Sequence, residues 1–173
     1  MTQADIFERL KSEHGEAVFD FHADAMDPWC QIDPARLVAV CRTLRDDPHL
    51  DMRFLENLTG VDYPKENKIA VVYHFTSYRK RHDFCAKVLL DREDPTVETL
   101  SNLWQAARYN ERECYDLLGV IFEGHPDLRR VLLPDDWEGH PLRKDFAEKD
   151  HYHGIPTFRP NPVDLFAIKK SKA

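Results

Sequence analysis

Residues 68–90 read KIAVVYHFTSYRKRHDFCAKVLL. Two runs rich in β-branched and aromatic residues, 68–77 and 83–90, flank a charged connection, SYRKRH, and read as two strands of a hairpin. Alternation sets their faces. Ile69, Val71, Tyr73 and Phe75 share one side of the first run, and Phe84, Ala86, Val88 and Leu90 one side of the second. A sheet with such a face needs a second layer, and helical patterns on both sides of the hairpin supply it. Thr2 can cap a first helix with Ile6, Phe7 and Leu10 on one face and Gly15 as its stop. Residues 16–22, EAVFDFH, alternate like a strand. Asp33-Pro34 opens a second helix with Leu37, Val40, Cys41 and Leu44 on its apolar face, and Asp46-Asp47-Pro48 ends it. Asp94-Pro95 is a further helix start, followed by Leu100, Leu103, Trp104 and Ala107 at helical spacing. The pattern resumes over Glu111–Leu118 and stops at Gly119, and Arg129–Leu133 reads as a strand. The expected fold class is α+β: two layers, with helices packed on one face of a mostly antiparallel sheet.

A chain of 173 residues argues for one domain with room for an arm, and 42% hydrophobic with 32% charged residues is the balance of a chain with a real core. No apolar run approaches the roughly 20 residues of a membrane-spanning helix. The N-terminus, MTQADIFERL, has no signal-peptide character, so a cytosolic chain is expected. The net charge of -7 disfavours nucleic acid as a partner. Arg159, Lys169, Lys170 and Lys172 against Asp164 make residues 151–173 net +3 and leave -10 for the rest, a basic tail on an acidic body. From Pro134 the character changes. Pro134, Pro141, Pro156, Pro160 and Pro162 interrupt a segment that still carries Trp137, Leu142, Phe146, Phe158, Leu165, Phe166 and Ile168. Such a segment cannot build its own core, yet its apolar groups need cover. The expected organisation is a compact domain over 1–133 and an extended interaction arm over 134–173.

Several chemistries have no visible home. Only six glycines occur, none grouped as a dinucleotide fingerprint or a phosphate-cradling loop. Cys30, Cys41, Cys85 and Cys114 form no CxxC pair, the spacing that iron–sulfur and structural zinc sites usually use. Cys41 and Cys85 read as small buried hydrophobes.

The chemistry-bearing residues crowd into EGHPDLRRVLLPDDWEGHPLRKDF, residues 123–146, where Glu-Gly-His-Pro occurs twice, at 123–126 and 138–141. A metal site would need His125 and His140 to converge with carboxylates, and no ligand spacing on one element supports it. The structural reading is that each copy is a rigid corner. The glycine permits a positive φ, the proline pushes the preceding histidine extended, and that histidine hydrogen-bonds a nearby carbonyl or carboxylate. Upstream, ERECYD at 111–116 reads as a helix on which Arg112 and Asp116 can pair. The pairs Arg129-Arg130 and Arg143-Lys144 lie among Asp127, Asp135, Asp136 and Asp145, a mixture suited to an ion network at an interface.

Taken in order, residues 110–146 closely resemble the signature of the 30 kDa subunit family, the C subunit of respiratory complex I, NADH:quinone oxidoreductase. The residues that carry the resemblance are Glu111, Arg112, Glu113, Asp116 and Gly119, then Gly124, His125, Pro126, Leu128, Arg129 and Arg130. Pro134, Trp137, Gly139, His140, Pro141, Leu142, Arg143, Lys144, Asp145 and Phe146 complete it. A weaker likeness runs upstream through DPARL at 33–37, LRDDP at 44–48 and LTGVDYP at 58–64. Leu118, Ala107–Asn110 and Ala147 depart from the family pattern at packing positions. The resemblance implies a scaffold subunit of the peripheral arm, on the cytoplasmic side of the bacterial inner membrane. It would dock against the D subunit and the cluster-bearing B and I subunits, with the signature residues serving as interface. It implies no catalytic activity and no cofactor in this chain, with NADH, FMN, iron–sulfur clusters and quinone held by partner subunits. The alternatives are the same module in an energy-converting hydrogenase or related dehydrogenase complex, and a small metal-dependent enzyme using the histidines.

Overall fold

The computed structural model describes residues 1–157. The basic tail and the arm beyond residue 157 lie outside the described residues. Helix α1, Gln3–His14, starts at Thr2, whose hydroxyl accepts the Asp5 N–H while the Asp5 carboxylate accepts the Thr2 N–H. Gly15, at φ 59°, stops it. Strands β1, Val18–His22, and β2, Trp29–Ile32, follow. Helix α2, Leu37–Asp46, is entered through a tight turn at Pro34–Arg36 that the Asp33 carboxylate caps at the Ala35 N–H. Strands β3 (Phe54–Tyr63), β4 (Lys68–Ser77) and β5 (His82–Asp91) form a meander. Strand β6, Thr96–Glu98, helix α3, Ala107–Leu118, and strand β7, Ile121–Glu123, complete the body. Two short strands, β8 (His151–Tyr152) and β9 (Ile155–Pro156), pair with each other.

The main sheet has the order β1-β2-β5-β4-β3. All its pairings are antiparallel except β2 with β5. A separate parallel pair, β6 with β7, flanks α3 in sequence. The hairpin of β4 and β5 lies at the centre of the main sheet. Phe75 lies opposite Phe84, Tyr73 opposite Ala86, Val71 opposite Val88 and Ile69 opposite Leu90. These eight side chains are buried in one core with Ile6, Phe7 and Leu10 of α1, Leu37, Val40, Cys41 and Leu44 of α2, and Cys114 and Leu118 of α3. Burying each large aliphatic or aromatic side chain contributes about 1.5–3 kcal/mol, so this face holds the layers together. The two-layer α+β expectation is therefore met.

Three readings of the sequence need correction. The helix expected from Asp94-Pro95 does not form there. Thr96–Glu98 pairs as a strand with Ile121–Glu123, and the helical spacing of Leu100, Leu103, Trp104 and Ala107 reflects isolated turns: Leu103 and Trp104 both donate to the Leu100 carbonyl, and Ala107 to that of Trp104. Strand β3 was not expected. Its core-facing residues, Leu55, Leu58, Gly60 and Asp62, lose the two-residue period at an irregularity between Leu55 and Asn57. The strand expected at Arg129–Leu133 is absent, because side chains of α3 occupy its backbone groups.

Gly60 marks where α3 meets the sheet. A Cβ there would run into the Leu118 side chain, which would have to shift for any larger residue to fit between helix and strand. Gly60→Val should cost roughly 1–3 kcal/mol by overpacking, read as a lower denaturation midpoint with an unchanged m-value. Wild-type stability in this variant would show that α3 does not pack on β3 as described.

Candidate functional site

Helix α3 presents three polar side chains of the ERECYD run to three different neighbours. Arg112 and Asp116 do not pair with each other, contrary to the sequence expectation. Arg112 donates Nε to the Arg129 carbonyl at 3.0 Å and Nη2 to the Arg130 carbonyl at 2.9 Å. Asp116 Oδ2 accepts the N–H groups of Val131, Leu132 and Leu133 at 3.0, 2.8 and 2.9 Å, while Oδ1 accepts Arg130 Nη1 at 2.7 Å. One turn apart on the helix, a guanidinium binds the carbonyls and a carboxylate binds the amides of one short loop. This is why Arg129–Leu133 is no strand: its backbone groups are spent on side chains instead of a ladder. Burial by itself would raise the Asp116 pKa, but the three N–H donors and Arg130 outweigh it and hold the carboxyl below its ordinary value.

The third side chain, Glu111, is fully buried. It accepts the Thr99 hydroxyl at 2.5 Å and the Leu100 N–H at 2.7 Å. Its one candidate cation, His125, stands at 3.9 Å. Burial therefore dominates, and the Glu111 carboxyl is pushed up to about 7. The contrast with Asp116 is one of donors: four against two, with an arginine on one side only.

The doubled Gly-His-Pro grips the two ends of α3. Gly124 and Gly139 both adopt positive φ, 77° and 83°, so both copies are backbone corners as the sequence implied. At the first corner, His125 Nδ1 accepts the Asp127 N–H at 3.0 Å, which leaves Nε2 to donate to the Arg108 carbonyl, also at 3.0 Å. At the second, His140 Nδ1 meets the Asp116 carbonyl at 3.0 Å and must carry the proton. Identical motifs thus present different ring nitrogens to the α3 carbonyls, Nε2 of His125 and Nδ1 of His140, set by which backbone groups each ring meets. The residues after His140 extend the grip. Leu142 N–H donates to the Leu117 carbonyl at 3.0 Å and Arg143 Nε to that of Leu118 at 2.8 Å. The last three carbonyls of α3, which no helix can satisfy internally, are thus capped by one downstream segment, and Arg143 places a cation at the negative end of the helix dipole. Gly119 is required beside this cap. It is left-handed at φ 78°, and a Cβ would lie 2.7 Å from the His140 ring.

Arg130 ties the system together, donating Nη2 to the carbonyls of Trp137 and Gly139 at 2.9 and 3.1 Å while Nη1 holds Asp116. Beyond it, Lys144 N–H donates to Asp62 Oδ2 at 2.7 Å. Arg92 binds Asp62 through Nε and Nη2 at 2.7 and 3.0 Å, and Asp145 through Nη2 and Nη1 at 2.5 and 3.1 Å. The hydrogen bond to Arg92 leads in keeping the carboxyls of Asp62 and Asp145 below their usual range.

Of the signature residues, Glu111, Arg112, Asp116, Arg130, His125, His140, Arg143 and Asp145 therefore have partners inside the chain. Leu128 packs against the core, and the Phe146 ring lies under Gly139. Pro134 turns the chain by accepting the Trp137 N–H, and Pro126 and Pro141 stiffen the two corners. Glu113, Arg129, Leu142 and the Lys144 side chain face outward, with Leu132 and Val131 beside them. Sequence reasoning missed Asp62, Arg92 and Thr99. Asp62 falls within the LTGVDYP stretch that carries the weaker family likeness, the one available hint for it, and nothing local marks the other two. Among the described residues no three His, Cys, Asp or Glu side chains converge as metal ligands. All four cysteines are buried, and burial pushes Cys30 and Cys114 up to about 12 and Cys85 to about 11. Their thiols stay protonated, as small core residues do.

Comparison with known proteins returns the same two-layer α+β fold. Residues 30–152 match the family described as respiratory-chain NADH dehydrogenase, 30 Kd subunit. The chain belongs to this family. The C subunit of NADH-quinone oxidoreductase from Roseiflexus sp. (strain RS-1) is 47% identical over 146 residues, covering 84% of each chain. A solved trypsin-resistant fragment of Nqo5 matches at 27% identity with a TM-score of 0.62, covering 74% of this chain and 100% of the fragment. A chain of the membrane-bound sulfane sulfur reductase, an archaeal respiratory membrane complex, shares the fold at 21% identity and a TM-score of 0.68, covering 98% of this chain and 91% of that one.

Asp116→Ala should orphan three amides and a half-buried guanidinium at once. The expected cost is roughly 3–5 kcal/mol, with amide exchange at residues 131–133 rising to that of an open loop. Protection retained at those amides would refute the assignment. For Glu111 the raised folded-state pKa means its contribution is full below about pH 4.5 and is lost as pH rises through about 7. Glu111→Gln should therefore flatten the stability profile between those values, gaining about 3 kcal/mol on wild type across the window. Parallel profiles for the two proteins from about pH 4.5 to about pH 8 would show that Glu111 ionises normally.

Proposed function

We propose that the chain is a cofactor-free scaffold subunit in the peripheral arm of an NADH:quinone oxidoreductase. It holds the D subunit, beside the B and I subunits, against the chain of electron carriers. NADH, FMN, the iron–sulfur clusters and quinone belong to those partners, the isolated chain has no catalytic activity, and the assembly stands on the cytoplasmic side of the bacterial inner membrane. The observation that carries this reading is the family match over residues 30–152, which takes in the whole of the stitched segment around α3. The compact body over 1–133 serves as the rigid part together with residues 137–145, which are fastened to α3 and the sheet, and the remainder of the segment expected from 134 onward serves as the arm. The exposure of Leu132 and Leu142 and the outward charges of Glu113 and Lys144 support a surface meant for covering. In this reading the inward half of the signature shapes the loops and the outward half meets the partner.

Tagged chain expressed in its own organism should co-purify with quinone-reductase subunits, and the eluate should oxidise NADH with quinone while the free chain does not. A tag that recovers the chain without such subunits would overturn the proposal. Within the complex, Leu132→Asp should reduce recovery of partner subunits by more than it shifts the melting of the free chain, because Leu132 is 61% exposed in that chain. Equal losses in both measurements would make the Leu132 face structural.

A further inference from the structure

A groove of about 250 Å³ opens on the outer side of α3, between its first two turns and the first Gly-His-Pro corner. Arg108, Tyr109 and Arg112 line one wall, and His125, Pro126 and Asp127 the other. The charges do not cancel. Both oxygens of Asp127 lie 3.0 Å from Arg129 Nε, so the one carboxylate in the groove is already engaged, and it stands 3.9 Å from Arg112 Nη1. Arg108 has no ion-pair partner among the described residues. Both ring nitrogens of His125 are engaged, Nδ1 by the Asp127 N–H and Nε2 by the Arg108 carbonyl. Glu111 lies behind the His125 ring, engaged by Thr99 and Leu100. Two arginines and one carboxylate, itself engaged by Arg129, therefore border one concavity, a locally positive spot on a chain whose net charge is -7.

The walls are also fixed in advance. Arg112 is clamped by the Arg129 and Arg130 carbonyls, and its Nη1 makes no hydrogen bond, facing Asp127 across 3.9 Å as a long ion pair that an incoming carboxylate would share. The Tyr109 ring, 67% exposed, lies 5.8 Å from the Arg112 guanidinium carbon. A guanidinium held in place loses little entropy when it binds a carboxylate, and an exposed aromatic beside it offers apolar contact. The volume suits one or two side chains and is small for a nucleotide or a drug-sized ligand.

We propose that this groove receives an acidic segment of a partner subunit, with an Asp or Glu side chain entering between Arg108 and Arg112 and an apolar neighbour lying on Tyr109. This rests on the reading of the chain as a subunit and adds the chemistry of one contact. The test uses the complex purified from the native organism through a tag on this chain. Arg108→Lys supplies an amine that a carbodiimide can couple directly to a touching carboxylate. Mass spectrometry should find the resulting amide bond on an Asp or Glu of a partner subunit. Arg108→Glu should lower recovery of partner subunits at low salt by roughly tenfold while leaving the free chain's melting unchanged. Cross-links confined to this chain, or full recovery of partners by Arg108→Glu, would overturn the groove assignment. Failure of the wild-type chain to recover any quinone-reductase subunit would instead overturn the subunit reading on which it rests.

Discussion

Asp116 has no contact with water, yet four donors from residues 130–133 converge on its two oxygens. A buried carboxylate is tolerable only when it is saturated in this way, and the saturation has a geometric consequence. Three successive N–H groups can point at one oxygen only if the backbone curls around it. The loop after the first Gly-His-Pro corner is therefore wrapped on the helix, and Arg130 is carried into position to hold Trp137 and Gly139. His140 then reaches the Asp116 carbonyl, and the segment beyond it caps Leu117 and Leu118. The order of contacts follows the order of the chain, each one placing the next.

Two further anchors keep this arrangement on the body. Glu111 fastens the start of α3 to the Thr99–Leu100 turn, and Asp62 with Arg92 fastens residues 144–145 to the sheet. These anchors differ in character. The Asp62–Arg92–Asp145 cluster is charged, and the depressed carboxyls keep it so across the neutral range. Glu111 sits among neutral donors and takes up a proton near neutrality. The same residue class therefore makes an acid-labile fastening at one end of the segment and a base-sensitive one at the other. Each of these polar fastenings is complete within the chain, and Leu132, Leu142, Glu113 and Lys144 are left exposed beside them.

Much of the architecture was legible in the sequence because it depends on short-range periodicity. The β4–β5 hairpin, both N-terminal helices and the two glycine corners rest on alternation, capping residues and φ preferences that act within a few positions. The failures share a cause as well. Strand β3 hides its period behind an irregularity at Leu55–Asn57, the turn at Leu100–Ala107 imitates helical spacing, and Arg129–Leu133 has strand-like residues whose amides are claimed from 15 or more positions away. Arg112 and Asp116 are one helical turn apart and oppositely charged, so pairing was the local expectation; the loop offered each a fuller set of partners.

By itself the sequence determined the family, through the ordered signature from Glu111 to Phe146, and the class of fold, through the apolar faces of the hairpin and helices. Only the tertiary structure decided what the signature's charges do. The partner of a buried carboxylate or arginine depends on which backbone groups the fold leaves unsatisfied nearby, and those are the carbonyls at the end of α3 and the amides of the loop it carries. That information is absent from residue spacing, because it arises when the capping segment returns from 24 residues downstream to close the helix.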